Sequence, residues 1–277
     1  MRPKLTLSGF AAAPLPLLAL SVMFFGNAFP PSRNGILPSP ANTSKGAPVV
    51  VELFTSEGCS SCPPADALLA RLAVQQPIAG AEVIALEEHV DYWNQQGWVD
   101  PFSSSEFSER QQNYARSFES ASVYTPQMVV DGRVEFTGSY EGKARQSITE
   151  AARAQKTPIQ LTVTRGGEPD GSLQVRADKL AASTTVGKAD VFLAVTEAGL
   201  HSAVNAGENA GEDLHHSRVV RRLRKIGEVK PAADASFSSS LPLKLDSGWK
   251  LENVQIVVFI QERKSRRILG AASVSPQ

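Results

Sequence analysis

The sequence predicts an α/β domain of order β-α-β-α-β-β-α over residues 48–156, followed by a mostly β, sandwich-like domain over residues 157–277. Three observations carry that expectation. Residues 49–54, Val-Val-Val-Glu-Leu-Phe, are apolar and β-branched, as a central parallel strand requires. A second apolar run, residues 83–86, returns one helix-length later, and two strands joined by a helix make a right-handed βαβ unit. After Thr157-Pro158 the chain changes to short alternating or apolar runs set apart by turns.

The elements follow in order. Thr55 to Gly58 breaks the first strand. A helix over 65–73 places Leu68, Leu69 and Leu72 on one face, and Pro63 and Pro64 suit its first turn, where a missing N–H does no harm. The second strand runs out in Glu87-Glu88-His89. Residues 91–105 hold Tyr92, Trp93, Trp98 and Phe102 among turn formers, which suits an ordered excursion rather than a linker. A helix over 106–119, capped by Ser103, Ser104 or Ser105, turns Phe107, Tyr114, Ala115 and Phe118 inward. Strands at 128–130 and 134–136 flank an Asp131-Gly132 hairpin turn, and a helix over 140–155 closes the domain. Further strands are expected at 159–164, 173–177, 189–196, 219–229, 235–245, 254–262 and 268–274. Residues 208–216 read as a polar loop. Its adjacent His215 and His216 would face opposite ways in extended chain, so they read as solvated rather than as a chelating pair. Two basic runs, over 218–225 and 263–267, read as an outer face and a hairpin tip, with an anionic partner as the alternative.

The chemistry is concentrated in Cys59-Ser60-Ser61-Cys62, a Cys-x-x-Cys between strand and helix that holds both cysteines of the chain. Backbone N–H groups at a helix start favour negative charge, so a thiolate there is stabilised. The first cysteine of such a pair attacks and the second resolves the mixed disulfide. Cys59 is therefore the expected nucleophile and Cys62 the resolving thiol. A structural zinc site needs about four ligands and no second cysteine pair exists. A bridge over so short a loop adds little stability. Functional groups gather at the carboxyl ends of parallel strands. That rule places His89, Asp91, Tyr92 and Trp93 beside the cysteines, with His89 and Asp91 as groups that tune the thiolate.

The 28 basic and 28 acidic side chains balance, which gives nucleic acid no electrostatic purchase. The N-terminus reads as a signal peptide over residues 1–28: Arg2 and Lys4, an apolar run over 15–25, then Gly26-Asn27-Ala28 as a cleavage site. The run is short and interrupted by Pro14 and Pro16, so cleavage is expected, leaving no membrane span. Residues 29–47 form a Pro/Ser-rich disordered lead-in. The expected location is outside the cytosol, in the periplasm, where a Cys-x-x-Cys is not held reduced by default.

A resemblance adds to this reading. Thr125-Pro126-Gln127, followed by an apolar strand and Asp131-Gly132, is similar to the cis-proline segment of thioredoxins and glutaredoxins. The resemblance implies a thioredoxin-like fold, with Pro126 cis and facing the cysteines. It also implies that Thr125 docks the backbone of a substrate, with Tyr92 and Trp93 adjoining. It makes Glu52 the counterpart of the acid that assists proton transfer to the resolving thiol; both a buried and a solvent-facing Glu52 fit the strand. A closer resemblance is to an uncharacterised family of exported thioredoxin-like proteins, a domain of unknown function. It rests on residues 52–66, on His89-Val90-Asp91-Tyr92-Trp93 with Gly97-Trp98, and on Tyr124-Thr125-Pro126-Gln127, and it covers roughly residues 48–277. Asn94 stands where that family carries an acid, and Gly58 where thioredoxins carry tryptophan.

Three functions compete at this stage. The first is a periplasmic thiol–disulfide oxidoreductase without metal or organic cofactor, its partner a thiol- or disulfide-bearing protein or a small thiol. The second is a copper or zinc carrier using Cys59, Cys62 and His89, since soft thiolates select such ions. The third is a non-catalytic binding module gripping a partner through Trp93, Trp98 and the β half. Redox direction and oligomeric state are left open.

Overall fold

The computed structural model describes residue 9 and residues 46–165, 170–180, 187–230 and 236–276. The expected signal peptide lies outside the described residues but for Gly9, and so does the lead-in as far as Lys45. From β1 (Ala47–Thr55) the chain runs through α1 (Pro63–Gln75), β2 (Ala81–His89), α2 (Ser105–Ser117), β3 (Gln127–Val130), β4 (Val134–Thr137) and α3 (Glu141–Ala152). The β-rich half follows as β5 (Ile159–Arg165), β6 (Asp170–Ala177), β7 (Ala189–Glu197), β8 (Leu200–Ala203), β9 (Asp213–His216), β10 (Val219–Val229), β11 (Phe237–Lys244), β12 (Val254–Glu262) and β13 (Ile268–Val274). No helix among the described residues is long and apolar enough to cross a membrane.

The expected fold class is overturned. The chain is mostly β, and it is not a thioredoxin-like α/β domain followed by a separate sandwich. One mixed eight-stranded sheet, in the order β13-β12-β7-β10-β2-β1-β3-β4, runs through both halves. β1 pairs with β2 in parallel from Ala47↔Ala81 to Thr55↔His89. The other edge of β2 is closed by β10, through Val219↔Glu87 and a 2.9 Å bond from the Glu87 N–H to the Arg218 carbonyl. β10 therefore joins β2 at its carboxyl end. β10, β7, β12 and β13 then continue antiparallel. A three-stranded sheet, β11-β6-β5, packs over the far end, burying Leu173, Val175 and Leu243 against Val191, Ile256, Val258 and Ile260. The sandwich-like packing is present, but one of its layers is the extension of the first half's own sheet.

Strand alternation sorts the central residues onto two faces. Val49, Val51 and Leu53 of β1 and Val83 and Ala85 of β2 face Leu68, Leu69 and Leu72 of α1 and Ile148 of α3. Val50, Ile84 and Leu86 face the other way, toward Phe107 of α2 and Val220, Phe259 and Ile268. On that side the sheet curls back on itself, and the Ile268 N–H reaches the Asp131 carbonyl at 2.9 Å. α2 is capped by Ser104, whose hydroxyl accepts the Glu106 N–H at 3.2 Å. Asp131 and Gly132 both have positive φ, 54° and 61°, as a tight hairpin turn requires. A side chain at Gly132 would strike the Arg266 carbonyl.

β8 and β9 form a separate hairpin, from Leu200↔His216 to Ala203↔Asp213, whose second strand falls inside the stretch expected to be polar loop. Its tip, residues 204–212, folds on itself through bonds from Gly211 N to the Val204 carbonyl and from Val204 N to the Glu212 carbonyl.

Candidate functional site

Cys59 and Cys62 form a disulfide with Cα atoms 5.4 Å apart, and both residues are fully buried. Cys62 is the N-cap of α1, and its carbonyl accepts the N–H groups of Ala65 and Asp66. Its backbone is already right-handed helical, with φ −78° and ψ −39°. Asp66, four residues on, therefore lies on the same helix face. Asp66 is buried, and its Oδ1 accepts the Thr55 hydroxyl at 2.7 Å.

The disulfide is covered from two sides. The tip of the β8–β9 hairpin lies over it. Asn209 Nδ2 donates to the carbonyls of Glu57 (2.8 Å) and Cys59 (3.1 Å), and Glu208 accepts from the N–H and hydroxyl of Ser60 at 3.1 and 2.7 Å. On the other side Trp93 stands so close to Gly58 that a Cβ there would sit 3.2 Å from its own. Trp93 Nε1 donates to the Thr125 hydroxyl at 2.8 Å. The Thr125–Pro126 bond is cis. Pro126, Leu53 and Ala65 all crowd Gly138, so Pro126 sits by the first turn of α1.

Beyond the strand ends lies a buried polar cluster. Glu87 and His89 close β2 on the face α1 covers, and Glu57 follows β1. Glu87 Oε1 lies 2.7 Å from His216 Nδ1 and 3.5 Å from His89 Nε2. His216 Nε2 meets Glu57 Oε1 at 3.0 Å, and Trp98 Nε1 donates to Glu57 Oε2 at 2.7 Å. His89 Nδ1 meets Asp100 Oδ2 at 2.7 Å, and that oxygen also accepts the Glu57 N–H at 2.9 Å. Phe102 packs edge-on against both imidazoles, with centroids 5.5 Å away. Burial disfavours charge at each position, and the partners decide where charge persists. Burial works against the His216 cation, but Glu57 and Glu87 outweigh it and hold its pKa up at about 9. His89 is likewise held well above the usual imidazole range, burial being overcome by Asp100 and Glu87. Glu87 and Asp100 fall below the usual carboxylate range, because the imidazoles outweigh the effect of burial. Asp66 moves the other way: burial and the Glu87 charge push it up to about 7.

The sequence-predicted residues divide. Trp93, Thr125 and Pro126 surround the cysteine loop. His89 belongs to the cluster just described, its two ring nitrogens directed to Asp100 and Glu87. Asp91 takes the Ser108 hydroxyl at 2.5 Å, and Tyr92 is partly exposed, donating to Gln111 Oε1 at 3.1 Å. Burial pushes the Tyr92 phenol up to about 12. Glu52 is buried, but on the α2 face of the sheet, opposite the cysteine helix. It is bound there by Arg110 Nε at 2.5 Å and by the Tyr114 hydroxyl. The expected proton relay from Glu52 to Cys62 is therefore separated from its target by the sheet, and Asp66 is a buried acid on the helix that carries Cys62. Sequence reasoning missed Asp66, Glu57, Glu87, Asp100, Asn209 and His216. His216 was read as solvated and is 4% exposed, whereas His215 is exposed and stacks on His201.

Fold and site together define a mostly β protein with a covered Cys-x-x-Cys disulfide above a buried histidine–carboxylate cluster. The chain belongs to the family described as "Protein of unknown function (DUF1223)", which it matches over residues 50–261. It is similar to the solved structure of protein AGR_C_4864 from Agrobacterium tumefaciens, with 27% identity and a TM-score of 0.63 over 84% of this chain and 96% of that one. It shares its fold with HBP35 of Porphyromonas gingivalis, with 16% identity and a TM-score of 0.61 over 84% of this chain and 76% of that one. No curated protein matches it.

Proposed function

We propose that this protein is an exported thiol–disulfide oxidoreductase whose working pair is Cys59 and Cys62. The observation that carries the reading is their disulfide at the start of α1. It closes too short a loop to matter much for stability. It also stands where helix N–H groups favour a thiolate. The basic start and short apolar run of residues 1–28 support export.

In the direction that reduces a substrate, the Cys59 thiolate attacks one sulfur of the substrate disulfide and expels the other as a thiolate. The Cys62 thiol then loses its proton to the Asp66 carboxylate. The Cys62 thiolate attacks Cys59 Sγ, releasing the second substrate thiolate and closing the protein disulfide. Oxidation of a substrate is the reverse, with Asp66 returning the proton to the departing Cys62. Thr125 and Pro126 offer the surface on which a peptide partner docks, next to Trp93 and Tyr92. The hairpin tip must swing off Cys59 before either reaction. No organic cofactor enters this chemistry.

The test is equilibration of the purified protein against thiol–disulfide mixtures. A reversible two-electron transition lost in Cys59→Ser is the expected result. A pair that never opens in the folded protein, or a Cys59→Ser variant with full exchange activity, overturns the proposal.

A further inference from the structure

We infer that Glu87, His89 and His216 form a binding site for one divalent transition-metal ion of the zinc type, separate from the cysteines. One donor atom from each residue lies within 4.8 Å of the others, and Glu87 Oε1 stands 3.5 Å from His89 Nε2 and 2.7 Å from His216 Nδ1. All three side chains are fully buried or nearly so.

His89 Nε2 is completely buried and makes no hydrogen bond among the described residues; the Glu87 carboxylate faces it at an ion-pair distance of 3.5 Å. A buried polar atom left without a partner is costly, and native structures seldom keep one without a use. The spacing suits an ion. Tetrahedral zinc with bonds of about 2.0–2.2 Å separates its donor atoms by roughly 3.3 Å. The Glu87–His89 separation of 3.5 Å is already close to that value. The Glu87–His216 contact of 2.7 Å would open by a few tenths of an ångström as the ion enters.

The outer contacts point the same way. Histidine ligands to metals characteristically give their second ring nitrogen to a carboxylate, which fixes tautomer and ring orientation. Here each imidazole does so: His89 Nδ1 with Asp100 at 2.7 Å and His216 Nε2 with Glu57 at 3.0 Å. Both carboxylates are anchored in turn, Asp100 by the N–H groups of Glu57 and Phe102, and Glu57 by Trp98 Nε1. The second oxygen of Glu87 accepts the Ser217 N–H at 2.9 Å, leaving Oε1 for the centre. Two imidazoles and one carboxylate suit zinc and its neighbours, and three protein ligands leave a fourth position for an exogenous donor.

The experiment uses the whole mature chain with its disulfide intact, stripped of metal by chelator and titrated with Zn²⁺ and Co²⁺. The expected result is one ion per chain, with a Co²⁺ visible spectrum of four-coordinate intensity and no thiolate-to-cobalt charge-transfer band. His89→Gln and Glu87→Gln should weaken binding by 100-fold or more, and Asp100→Asn by about 10- to 100-fold through loss of the outer contact. A Cys59→Ser/Cys62→Ser chain should bind as tightly as the native one. If a ligand variant fails to fold, the native protein's stoichiometry and spectrum decide. No stoichiometric binding by the folded native chain overturns the inference. So does binding that persists in His89→Gln/Glu87→Gln, or a thiolate band. The outcome is independent of whether the disulfide cycles.

Discussion

The central sheet carries two buried polar clusters on opposite faces, and they are built on different terms. On the α2 face, Arg110 is held between Glu52 at 2.5 Å and Glu88 at 3.4 Å, with Gln261 at 3.2 Å from its Nη1. Its guanidinium lies 5.2–5.4 Å from the ring centroids of Tyr114, Phe192 and Phe259. Burial, then the Glu52 charge, pushes Glu88 well above the usual carboxylate range. This cluster sits in the body of the curled sheet. On the α1 face, the cluster of Glu57, Glu87, His89, Asp100 and His216 sits beyond the strand ends, roofed by loops and a hairpin. It keeps an orphaned imidazole nitrogen and adjoins the cysteine loop. Both clusters keep buried atoms without a hydrogen bond among the described residues, Glu88 Oε1 and Oε2 on the α2 face and His89 Nε2 at the strand ends, but only the second lies where parallel strands commonly place ligands.

Breaking the Arg110 cluster should have the largest effect. Arg110→Met leaves Glu52 buried without its cation, a change worth about 3–5 kcal/mol. Denaturant unfolding should show that loss, while the redox potential of the folded protein stays unchanged. Adding Glu52→Leu should recover part of it, because the orphaned charge is then gone. A single variant as stable as the native protein would mean that Arg110 does not hold the Glu52 carboxylate in the folded state.

How much of this was legible depends on the distance over which each feature is encoded. β1, the cysteine loop and α1 are local, and the residues at 49–73 specify them through periodicity and prolines. The loop following β2 was placed near the cysteines because a βαβ unit fixes which strand ends coincide. The joining of β2 to β10 was not legible. It pairs residue 87 with residue 219, and an apolar strand reveals that it needs partners without revealing which. The fold class failed at that point. His216 was missed for the same reason: a four-residue strand at the base of a polar hairpin gives almost no periodic signal. In the structure Leu214 and His216 are buried while Asp213 and His215 are exposed, an alternation that the residue types Asp-Leu-His-His do not display. Asp66 could have been found. It falls on the stripe Cys62–Asp66–Leu69 of α1, and an acid on an apolar helix stripe one turn from a resolving thiol is a candidate for moving its proton.

That acid distinguishes the two faces kinetically. Below about pH 7 Asp66 is protonated and can donate to Cys62 as it leaves during reduction of the disulfide; above that pH the donor is lost. The rate constant for reduction, expressed per attacking thiolate, should therefore fall as pH rises through 7. Asp66→Asn should flatten the profile and slow the low-pH limb by about 100-fold, the lower end of what a positioned acid contributes. Glu52→Gln, on the opposite face, should leave the inflection in place. An inflection that survives Asp66→Asn and disappears in Glu52→Gln would return the proton relay to the strand.

The smallest effect concerns the cover over the disulfide. Asn209 ties the hairpin tip to the cysteine loop with two hydrogen bonds, and buried bonds of this kind contribute about 1 kcal/mol each. Asn209→Ala should therefore favour the open tip by about 2 kcal/mol, roughly a 30-fold gain in the rate at which a small thiol reduces Cys59–Cys62. Glu208→Gln keeps an acceptor for Ser60 at an exposed position, so its gain should be smaller. Neither change touches Glu87, His89 or His216, so metal affinity should not move with the reduction rate. If Asn209→Ala reduces no faster than the native protein, the barrier to Cys59 is not the hairpin tip. It then lies on the Trp93 side, where the ring bonded to Thr125 stands against Gly58. A Trp93→Ala chain would locate it by gaining the reactivity that Asn209→Ala lacked.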